Sequence, residues 1–453
     1  MLALALTIMM AVTSNVLINL ALPTATETLG VAPSKTIWLV NAYQIGVLMA
    51  LLPAAAAGEI WGYKRTYLGG AAIHIIASVA LLNADGLLAL SLLRTVQGWS
   101  SATIFAINVA LLRQIYPVQL LGRGISYNAT VIAVTGASSP VLAGAILSVV
   151  DWQWLFVVNV PFGIMALLIG SQTLPETPRN GAKFDVPGAM LNALAFGGIF
   201  LAISQLANET FNIVTVPAFA FGAGGAYFLI RRSLRREPPI LPIDLIRIPM
   251  LRSSYLVSLF CFGAQAIALV TLPFYFQGWL GFSEFQTGLM MSPWPACIAL
   301  AALIVGRLIE RHSAIAVGSF ALLFFASGLA LVGIAPLFHS TLLTILGMCL
   351  CGIGFGGFQT PNNRTMLLAA PKERSGGAGG MIATVRLIGQ ISGAIAASAI
   401  FHFLGPLSPA TLLTASALAV IGAFLSYRRR DQEDDAPPAQ SQDSEPVVES
   451  RAS

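Results

Sequence analysis

The sequence predicts an all-α polytopic membrane protein, and three observations lead to that fold class. Of the 453 residues, 56% are hydrophobic and only 9% are charged, whereas a soluble protein has about 25% charged residues. Apolar runs of about 20 residues, each long enough to cross the roughly 30 Å hydrocarbon core as a helix, recur along the chain. The runs are continuously apolar rather than alternating, which favours helices over a transmembrane barrel.

Fourteen membrane spans are predicted from these runs. They cover residues 2–22, 37–57, 67–83, 87–111, 125–149, 154–173, 186–206, 211–230, 252–276, 286–307, 314–335, 340–360, 380–403 and 408–427. The first run has no Lys or Arg before it and is longer than the apolar core of a signal peptide, which is usually about 7–15 residues. We therefore interpret it as a retained span, with a cleaved signal peptide as the alternative.

The short loops between the runs alternate in charge, which predicts the orientation. One side carries nearly all the Lys and Arg of the loops: Lys64, Arg65, Arg113, Arg123, Arg179, Lys183, Arg231, Arg232, Arg235, Arg236, Arg307, Arg311, Lys372, Arg374 and Arg428 to Arg430. The other side has only Lys35. The positive-inside rule places the basic side, and with it both termini, in the cytoplasm. The net charge of +5 thus reflects topology, and no nucleic-acid partner is expected.

Two stretches of the sequence recur, which predicts an internal repeat. The segment Gly58 to Arg65 resembles Gly306 to His312, and the segment Tyr116 to Val131 resembles Ala370 to Val385. The chain is therefore divided into a six-helix bundle at 1–175, a two-helix insert at 176–236, a second six-helix bundle at 237–427 and a tail at 428–453. The tail is acidic and rich in Pro, Gln and Ser, which is typical of disorder. Two such bundles predict a rocking transporter with its substrate site between them, near the membrane midplane.

The sequence gives no sign of enzymatic chemistry or of a cofactor. Cys261, Cys297, Cys349 and Cys351 all lie in apolar runs, where cysteine behaves as a small hydrophobe. The four histidines are scattered, and neither a phosphate-binding loop nor a Ser/His/Asp arrangement is present. We therefore expect no catalytic residues, no metal site and no cofactor.

Seven motifs follow one another in an order and spacing that resemble a known family. They are Asn19-Leu20-Ala21-Leu22-Pro23, Glu59-x-x-Gly62-x-Lys64-Arg65, Arg94-x-x-Gln97-Gly98, Pro140-x-x-x-Gly144, Trp152-x-Trp154-x-Phe156-x-x-Asn159-x-Pro161, Phe184-Asp185-x-x-Gly188 and Pro273-x-Tyr275-x-Gln277. Through them, residues 1–427 resemble the fourteen-span drug:proton antiporter family of the major facilitator superfamily. The resemblance implies the major-facilitator fold, alternating access and a monomer in the bacterial inner membrane. It also implies proton-coupled export of amphipathic organic compounds.

One position departs from that family. Five residues before Asn19 the family usually carries an Asp, which is commonly taken to bear protons or to meet cationic drugs, and this chain has Ser14. The proton carrier is therefore left open. Two alternatives remain beside drug export: a transporter of anionic or neutral metabolites, and a transport-inactive membrane sensor or scaffold.

Two arginines, Arg94 and Arg386, lie inside predicted spans, while no Asp or Glu lies deep in any span. An intramembrane charge marks a functional candidate because it costs at least about 2.5–3.5 kcal/mol to insert. We expect Arg94 to face the central cavity, held by Asn15, Asn19, Gln97 or backbone carbonyls, with snorkelling to the headgroups as the alternative.

For Arg386, a place in the pathway and snorkelling to the headgroups are equally favoured interpretations. The other candidates for the pathway of substrate and protons are Asn41, Tyr43 and Gln277. His74 is interpreted as a polar core residue, with a proton-carrying role as the alternative.

A conformational gate and a kink are also expected. The gate comprises Glu59, Gly62, Lys64 and Arg65 after the second span, with Glu310 and Arg311 at the equivalent place in the second half. Glu59 is expected to pair with a cation across the interface between the halves, and a static salt bridge is the alternative. Gly136, Pro140 and Gly144 are expected to kink the fifth span.

Overall fold

The computed structural model describes residues 1–177, 184–207, 213–235, 242–338, 340–371 and 374–429. Several predictions fall on residues outside these ranges: the basic residues Arg179, Lys183, Arg236, Lys372 and Arg430, the start of the eighth span at 211–212, and the tail beyond residue 429.

The described ranges form sixteen α-helices and no β-strand. The helices are α1 (Leu2–Leu29), α2 (Pro33–Thr36), α3 (Trp38–Trp61), α4 (Tyr63–Leu82), α5 (Gly86–Ile115), α6 (Leu121–Leu147), α7 (Val160–Thr173), α8 (Val186–Ala207), α9 (Thr215–Ser233), α10 (Pro249–Gly278), α11 (Glu284–Met291), α12 (Pro293–Leu308), α13 (Ala314–Ile334), α14 (Thr341–Ala369), α15 (Ser375–Leu404) and α16 (Ala410–Arg428). Short 3-10 helices lie at Val118–Leu120, Trp152–Phe156, Ile243–Arg247 and Ala335–Phe338. The predicted all-α polytopic fold is confirmed.

Among the described residues, thirteen helical segments are long and apolar enough to cross a membrane. The predicted eighth span is α9, which has 19 residues and ends in Arg231 and Arg232, so it is less apolar than the others. The predicted tenth span is interrupted: α11 ends at Met291, and α12 begins at Pro293. Proline lacks the backbone N–H that would continue the helical ladder, which explains the break.

The helices pass alternately between two sides of the molecule. We call the side that holds Lys64, Arg113, Arg307 and Arg428 the basic side, and the other the opposite side. Helices α1–α7 form what we call the N-terminal half, and α10–α16 form the C-terminal half. Helices α8 and α9 form the insert.

Toward the opposite side, the two halves share one hydrophobic core. It includes Leu20 and Leu22 of the N-terminal half together with Phe276 and Met291 of the C-terminal half. On the basic side each half has a cluster of its own, around Leu4, Tyr67, Leu111 and Leu174 in the N-terminal half and around Leu245, Tyr255, Met366 and Ile382 in the C-terminal half. In the described ranges the halves therefore share one apolar core toward the opposite side, whereas their basic-side clusters are separate.

Polar contacts between the halves follow the same pattern in the described ranges. The Gln277 side chain donates to the Leu20 carbonyl at 3.3 Å, and the Ser398 hydroxyl donates to the Ser34 carbonyl at 2.7 Å. Both contacts lie at the opposite side. Between α3 and α15 apolar contact continues toward the basic side. Leu51 packs near Leu387, and a Cβ at Gly380 would lie 3.1 Å from the Leu52 side chain.

The insert lies beside the junction of the two halves. The Asn192 amide of α8 donates to the Met49 carbonyl of α3 at 2.7 Å. Phe200 of α8 packs with Ile45 of α3 and Ile391 of α15. Helix α8 thus touches both halves, and α9 packs along α8 through glycines that allow close approach, at Gly198, Gly222 and Gly225.

Candidate substrate and proton pathway

Arg94 of α5 lies in the core of the N-terminal half and is fully buried. Its Nε donates to the Leu39 carbonyl at 3.0 Å, and its Nη1 donates to the Ser14 carbonyl at 3.1 Å and to Gln97 Oε1 at 2.5 Å. Its guanidinium carbon lies 4.5 Å from the centre of the Tyr43 ring, close enough for a cation–π contact. The charge is therefore compensated by dipoles and an aromatic face.

This environment decides between the two interpretations of the Arg94 position. A snorkelling side chain would reach toward the headgroups, and Arg94 instead points into protein. As expected, backbone carbonyls and Gln97 accept hydrogen bonds from Arg94. Asn15 and Asn19 do not bind it. The Asn19 amide instead donates to carbonyls of its own helix, those of Asn15 and Val16. Direct exposure to a central cavity is also not observed. A role for Arg94 in transport stays a prediction.

Ser14, which stands where the resembled family has an acid, lies in a buried polar network. Its hydroxyl is 2.9 Å from His74 Nε2 and accepts a hydrogen bond from the Asn159 amide at 2.9 Å. The other ring nitrogen of His74 lies 3.2 Å from Ser100 Oγ and 3.0 Å from Ser101 Oγ. His74 is fully buried, and both of its nitrogens have partners, which is typical of a polar core residue.

Gln97 and Tyr43 extend this network, and both are buried. Gln97 Nε2 donates to Ser78 Oγ at 2.8 Å, so Gln97 accepts from Arg94 and donates to α4. The Tyr43 hydroxyl donates to the Ala11 carbonyl at 3.0 Å. The network thus joins α1, α3, α4, α5 and the start of α7. In the sequence, its members are polar residues that lie far apart.

The remaining pathway candidates of the first two spans have incomplete hydrogen bonding. The side-chain oxygens of Asn15 and Asn41 are buried and have no partner among the described residues. Asn41 is 1% exposed, whereas Asn15 is half-buried. An unpaired buried polar atom is costly, so these two amides are available to a ligand or to a water molecule.

Arg386 of α15 is half-buried and belongs to the C-terminal half. Its Nη2 donates to Asn363 Oδ1 of α14 at 2.5 Å, and its guanidinium carbon lies 5.2 Å from the centre of the Phe262 ring in α10. Three helices therefore meet at this side chain, which places a cation beside an aromatic ring. Both interpretations of Arg386, the pathway role and snorkelling, stay predictions.

The expected gate residues lie at the basic side. Gly62 has φ of 96°, a conformation that favours glycine, and it makes the tight turn between α3 and α4. Lys64 pairs with Glu176, which follows α7, at 3.1 Å. Arg65 is exposed. None of these contacts joins the two halves.

Glu59 is exposed and makes no ion pair among the described residues. Glu310 and Arg311 are likewise exposed. No cation across the interface pairs with Glu59 among the described residues. Since a carboxylate near the C-terminal end of a helix is unfavourable alone, the pair stays a prediction for the conformation closed at the basic side.

We expect Glu59→Gln to insert and fold normally but to lose most of its transport, because a neutral amide cannot hold the basic side shut. The measurement is flux into liposomes per amount of reconstituted protein. Asp85→Asn is the control, since Asp85 is exposed on the opposite side and makes no ion pair among the described residues. Normal flux through a well-folded Glu59→Gln protein would end the gate hypothesis.

The expected kink residues lie in the interior of α6. At Gly144 a Cβ would lie 2.6 Å from the Glu284 carbonyl oxygen of the C-terminal half, whereas at Gly136 it would meet nothing within 4 Å. A Cβ at Gly288 of α11 would lie closer still to the Pro140 carbonyl oxygen. Pro140 and Gly144 therefore form part of the junction at the opposite side, and Gly136 does not.

Sequence reasoning missed a third buried arginine. Arg429, 2% exposed, donates to Ser254 Oγ at 2.8 Å and to Asn362 Oδ1 at 2.7 Å. Asn362 in turn donates to Ser258 Oγ at 2.8 Å. In the sequence, Arg429 belongs to a basic cluster that was used only to predict the orientation in the membrane. The feature that could have revealed its burial was Asn362, because a polar side chain in a predominantly apolar helix needs hydrogen-bond partners.

Comparison with known proteins identifies the family of this chain. The Major Facilitator Superfamily profile matches residues 4–394. The chain is 41% identical to the "Uncharacterized transporter YebQ" of Escherichia coli over 429 residues, 94% of each chain. It is 27% identical to the "Riboflavin transporter RibZ" of Clostridioides difficile, over 84% of this chain and 82% of that one.

A further relative bears a drug-resistance name. The chain is 26% identical to the "Multidrug resistance protein Stp" of Mycobacterium tuberculosis, over 83% of this chain and 71% of that one. The profile match covers most of the chain, and the first relative is similar along nearly its whole length. The chain therefore belongs to the major facilitator superfamily and is a multi-pass membrane transporter.

Proposed function

We propose that this protein exports amphipathic organic compounds by alternating access, driven by the proton gradient. The observation that carries the proposal is the arrangement of the halves, which share one core toward the opposite side and have separate clusters on the basic side. By the positive-inside rule the basic side faces the cytoplasm, so in this proposal compounds enter between the halves from inside. Both termini then lie in the cytoplasm, and the protein works as a monomer in the bacterial inner membrane.

The side chains around Arg386 and Asn15 suit a substrate with an apolar body and a polar group. Arg386 lies beside Phe262 and Asn363, which offers a cation, an aromatic face and an amide in one place. Asn15 in the N-terminal half is half-buried and has a free acceptor. The drug-resistance name of the Stp relative supports the same substrate class. In this proposal the site lies between two helical bundles, residues 1–175 and 237–427. Transport requires neither a cofactor nor a catalytic step.

Proton coupling needs a carrier, and the resembled family's acid is replaced by Ser14. Among the described residues of the membrane spans, Asp and Glu are found only near the helix ends. His74 is the fully buried side chain in contact with Ser14, and histidine is the residue whose charge ordinarily changes near neutrality. Both of its ring nitrogens have hydrogen-bond partners, however, as in a polar core residue. The proposal therefore leaves the proton carrier unassigned.

A second candidate function is transport of anionic or neutral metabolites. The positive charge of Arg386 without a nearby carboxylate among the described residues favours it, because such a site attracts an anionic group. The riboflavin name of the RibZ relative belongs to this class. The two candidates share a fold and a site and differ in the charge of the compound carried.

The test uses purified protein in liposomes that contain a pH-sensitive dye, with an imposed proton gradient. Lipophilic cations, zwitterions and organic anions are added in turn, to the wild-type protein and to Arg386→Gln. Proton flux evoked by amphipathic compounds of several charges supports the export proposal, and flux with anions alone that is lost in Arg386→Gln supports the second. Silence across the panel, with the protein shown to be folded, would contradict both and favour a sensor or scaffold.

A further inference from the structure

A cavity of about 370 Å³ lies between the two helices of the insert, at the basic side. It is lined by Leu191 of α8 and by Phe228, Arg231, Arg232 and Arg235 at the end of α9. None of these residues belongs to the pathway or to the gate. The transport mechanism therefore leaves this cavity unexplained.

The residues of α9 that line the cavity are spaced along one face. Phe228 precedes Arg231 and Arg232 by three and four positions and Arg235 by seven, which brings all of them to the same side of a helix. Phe228 lies one turn deeper in the apolar part of α9 than the arginines, and it is 55% exposed. The cavity is thus apolar at its deeper end and cationic at its outer end.

The charges in the cavity are unequally compensated. Asp185, just before α8, binds Arg232 through two hydrogen bonds of 2.6 and 3.1 Å, which fixes that side chain. Arg231 and Arg235 are exposed, and neither forms an ion pair among the described residues. Two cations are therefore available to an anion, beside a third that is held in place.

The position of α9 identifies the source of that anion. Helix α9 packs against α8, and large apolar side chains on its surface, including Val216, Phe219 and Phe221, are exposed. In a protein that spans the membrane, such a surface faces lipid. Basic cavities between transmembrane helices on the cytoplasmic side are suited to anionic headgroups. A lipid would also provide an acyl chain for Phe228 and Leu191.

We propose that this cavity binds one anionic phospholipid, with its phosphate on Arg231 and Arg235 and the start of an acyl chain against Phe228 and Leu191. The occupant would then lie against α8, which touches both α3 and α15. The site goes beyond the proposed transport function and does not depend on the identity of the transported compound.

The test is native mass spectrometry of the full chain in detergent, titrated with phosphatidylglycerol. The variants are the double substitution Arg231→Gln/Arg235→Gln and the single substitution Phe228→Ala. We expect the wild-type protein to bind one phosphatidylglycerol more tightly than phosphatidylcholine of the same chain length. The double variant should bind it about thirtyfold more weakly, since each surface cation contributes roughly a fivefold factor.

The matched control is Arg307→Gln/Arg311→Gln. These two arginines are also exposed, four positions apart, and follow the same helix-to-turn pattern at the basic end of α12. Unchanged binding in this control, with weaker binding in Phe228→Ala, supports the proposed site. Equal losses in the two double variants would overturn it in favour of general charge attraction. Competition by inorganic phosphate as strong as that by the lipid would also overturn it.

Discussion

Replacing Arg94 with Ala is expected to abolish transport and to lower the free energy of unfolding by at least about 2 kcal/mol, because hydrogen bonds to a charged group contribute about 1.5–3 kcal/mol each. Arg94 donates to α1 at the Ser14 carbonyl, to α3 at the Leu39 carbonyl and to Gln97 on its own helix. Without the guanidinium, acceptors on α1, α3 and α5 lose their common hydrogen-bond donor at a fully buried position. The measurement pairs liposome flux with thermal unfolding of the purified protein.

Arg94→Lys separates charge from geometry. A lysine retains the cation but has a single donor group, which cannot reproduce the planar fork that spans Leu39 and Ser14. We therefore expect folded protein with strongly reduced flux. Arg123→Lys is the control, since Arg123 is exposed on the basic side and should tolerate the exchange. Full activity of Arg94→Lys would show that only charge placement matters.

Gly144→Ala is expected to have the second large effect, by keeping the halves apart at the opposite side. The added Cβ would lie 2.6 Å from the Glu284 carbonyl oxygen, closer than side chains tolerate, so the junction must open. Overpacking costs roughly 1–3 kcal/mol, which shifts the balance away from the conformation described here by about 5- to 150-fold. Flux should fall accordingly, while the helical content measured by circular dichroism stays the same.

Gly136→Ala provides the matched control on the same helix. Its Cβ would meet nothing within 4 Å, and alanine is a better helix former than glycine. We therefore expect normal flux and unchanged or higher stability. If the two alanine variants lost transport equally, flexibility of α6 rather than closure at Gly144 would explain the requirement.

The sequence predicted the membrane helices well because their signal is local. Each apolar run is a property of about 20 consecutive residues, and the spans found at α3, α5 and α10 agree with those expected, apart from their ends. The break before Pro293 was missed, although the proline itself is the local reason for it. Helix ends depend on loop contacts that a periodic pattern does not contain.

The candidate site was less predictable because its contacts are distant in sequence. The Arg94 position and its partner Gln97 followed from a short motif, whereas the carbonyls of Ser14 and Leu39 are 80 and 55 positions away. Every residue has a backbone carbonyl, so the identity of a side chain does not show which carbonyl accepts a hydrogen bond. Arg429 was missed for a related reason: its environment, Ser254 and Asn362, is assembled by three helices, while its sequence neighbours suggested a solvated basic cluster.

The most direct test of alternating access is a pair of distances measured in one protein by double electron–electron resonance. After replacement of the four cysteines, one label pair reports the opposite side, at Val149 and Leu289, which are 82% and 43% exposed. A second pair reports the basic side, at Arg123 and Arg307, both exposed. The distances are compared at acidic and at alkaline pH, with and without a transported compound.

We predict that the two distances change in opposite directions. In one conformation the distance at the opposite side should be short and that at the basic side long, and the second conformation should reverse both. A basic-side distance that changes while the opposite-side distance stays fixed would contradict the account, since the halves would then open and close on one side without giving passage across the membrane.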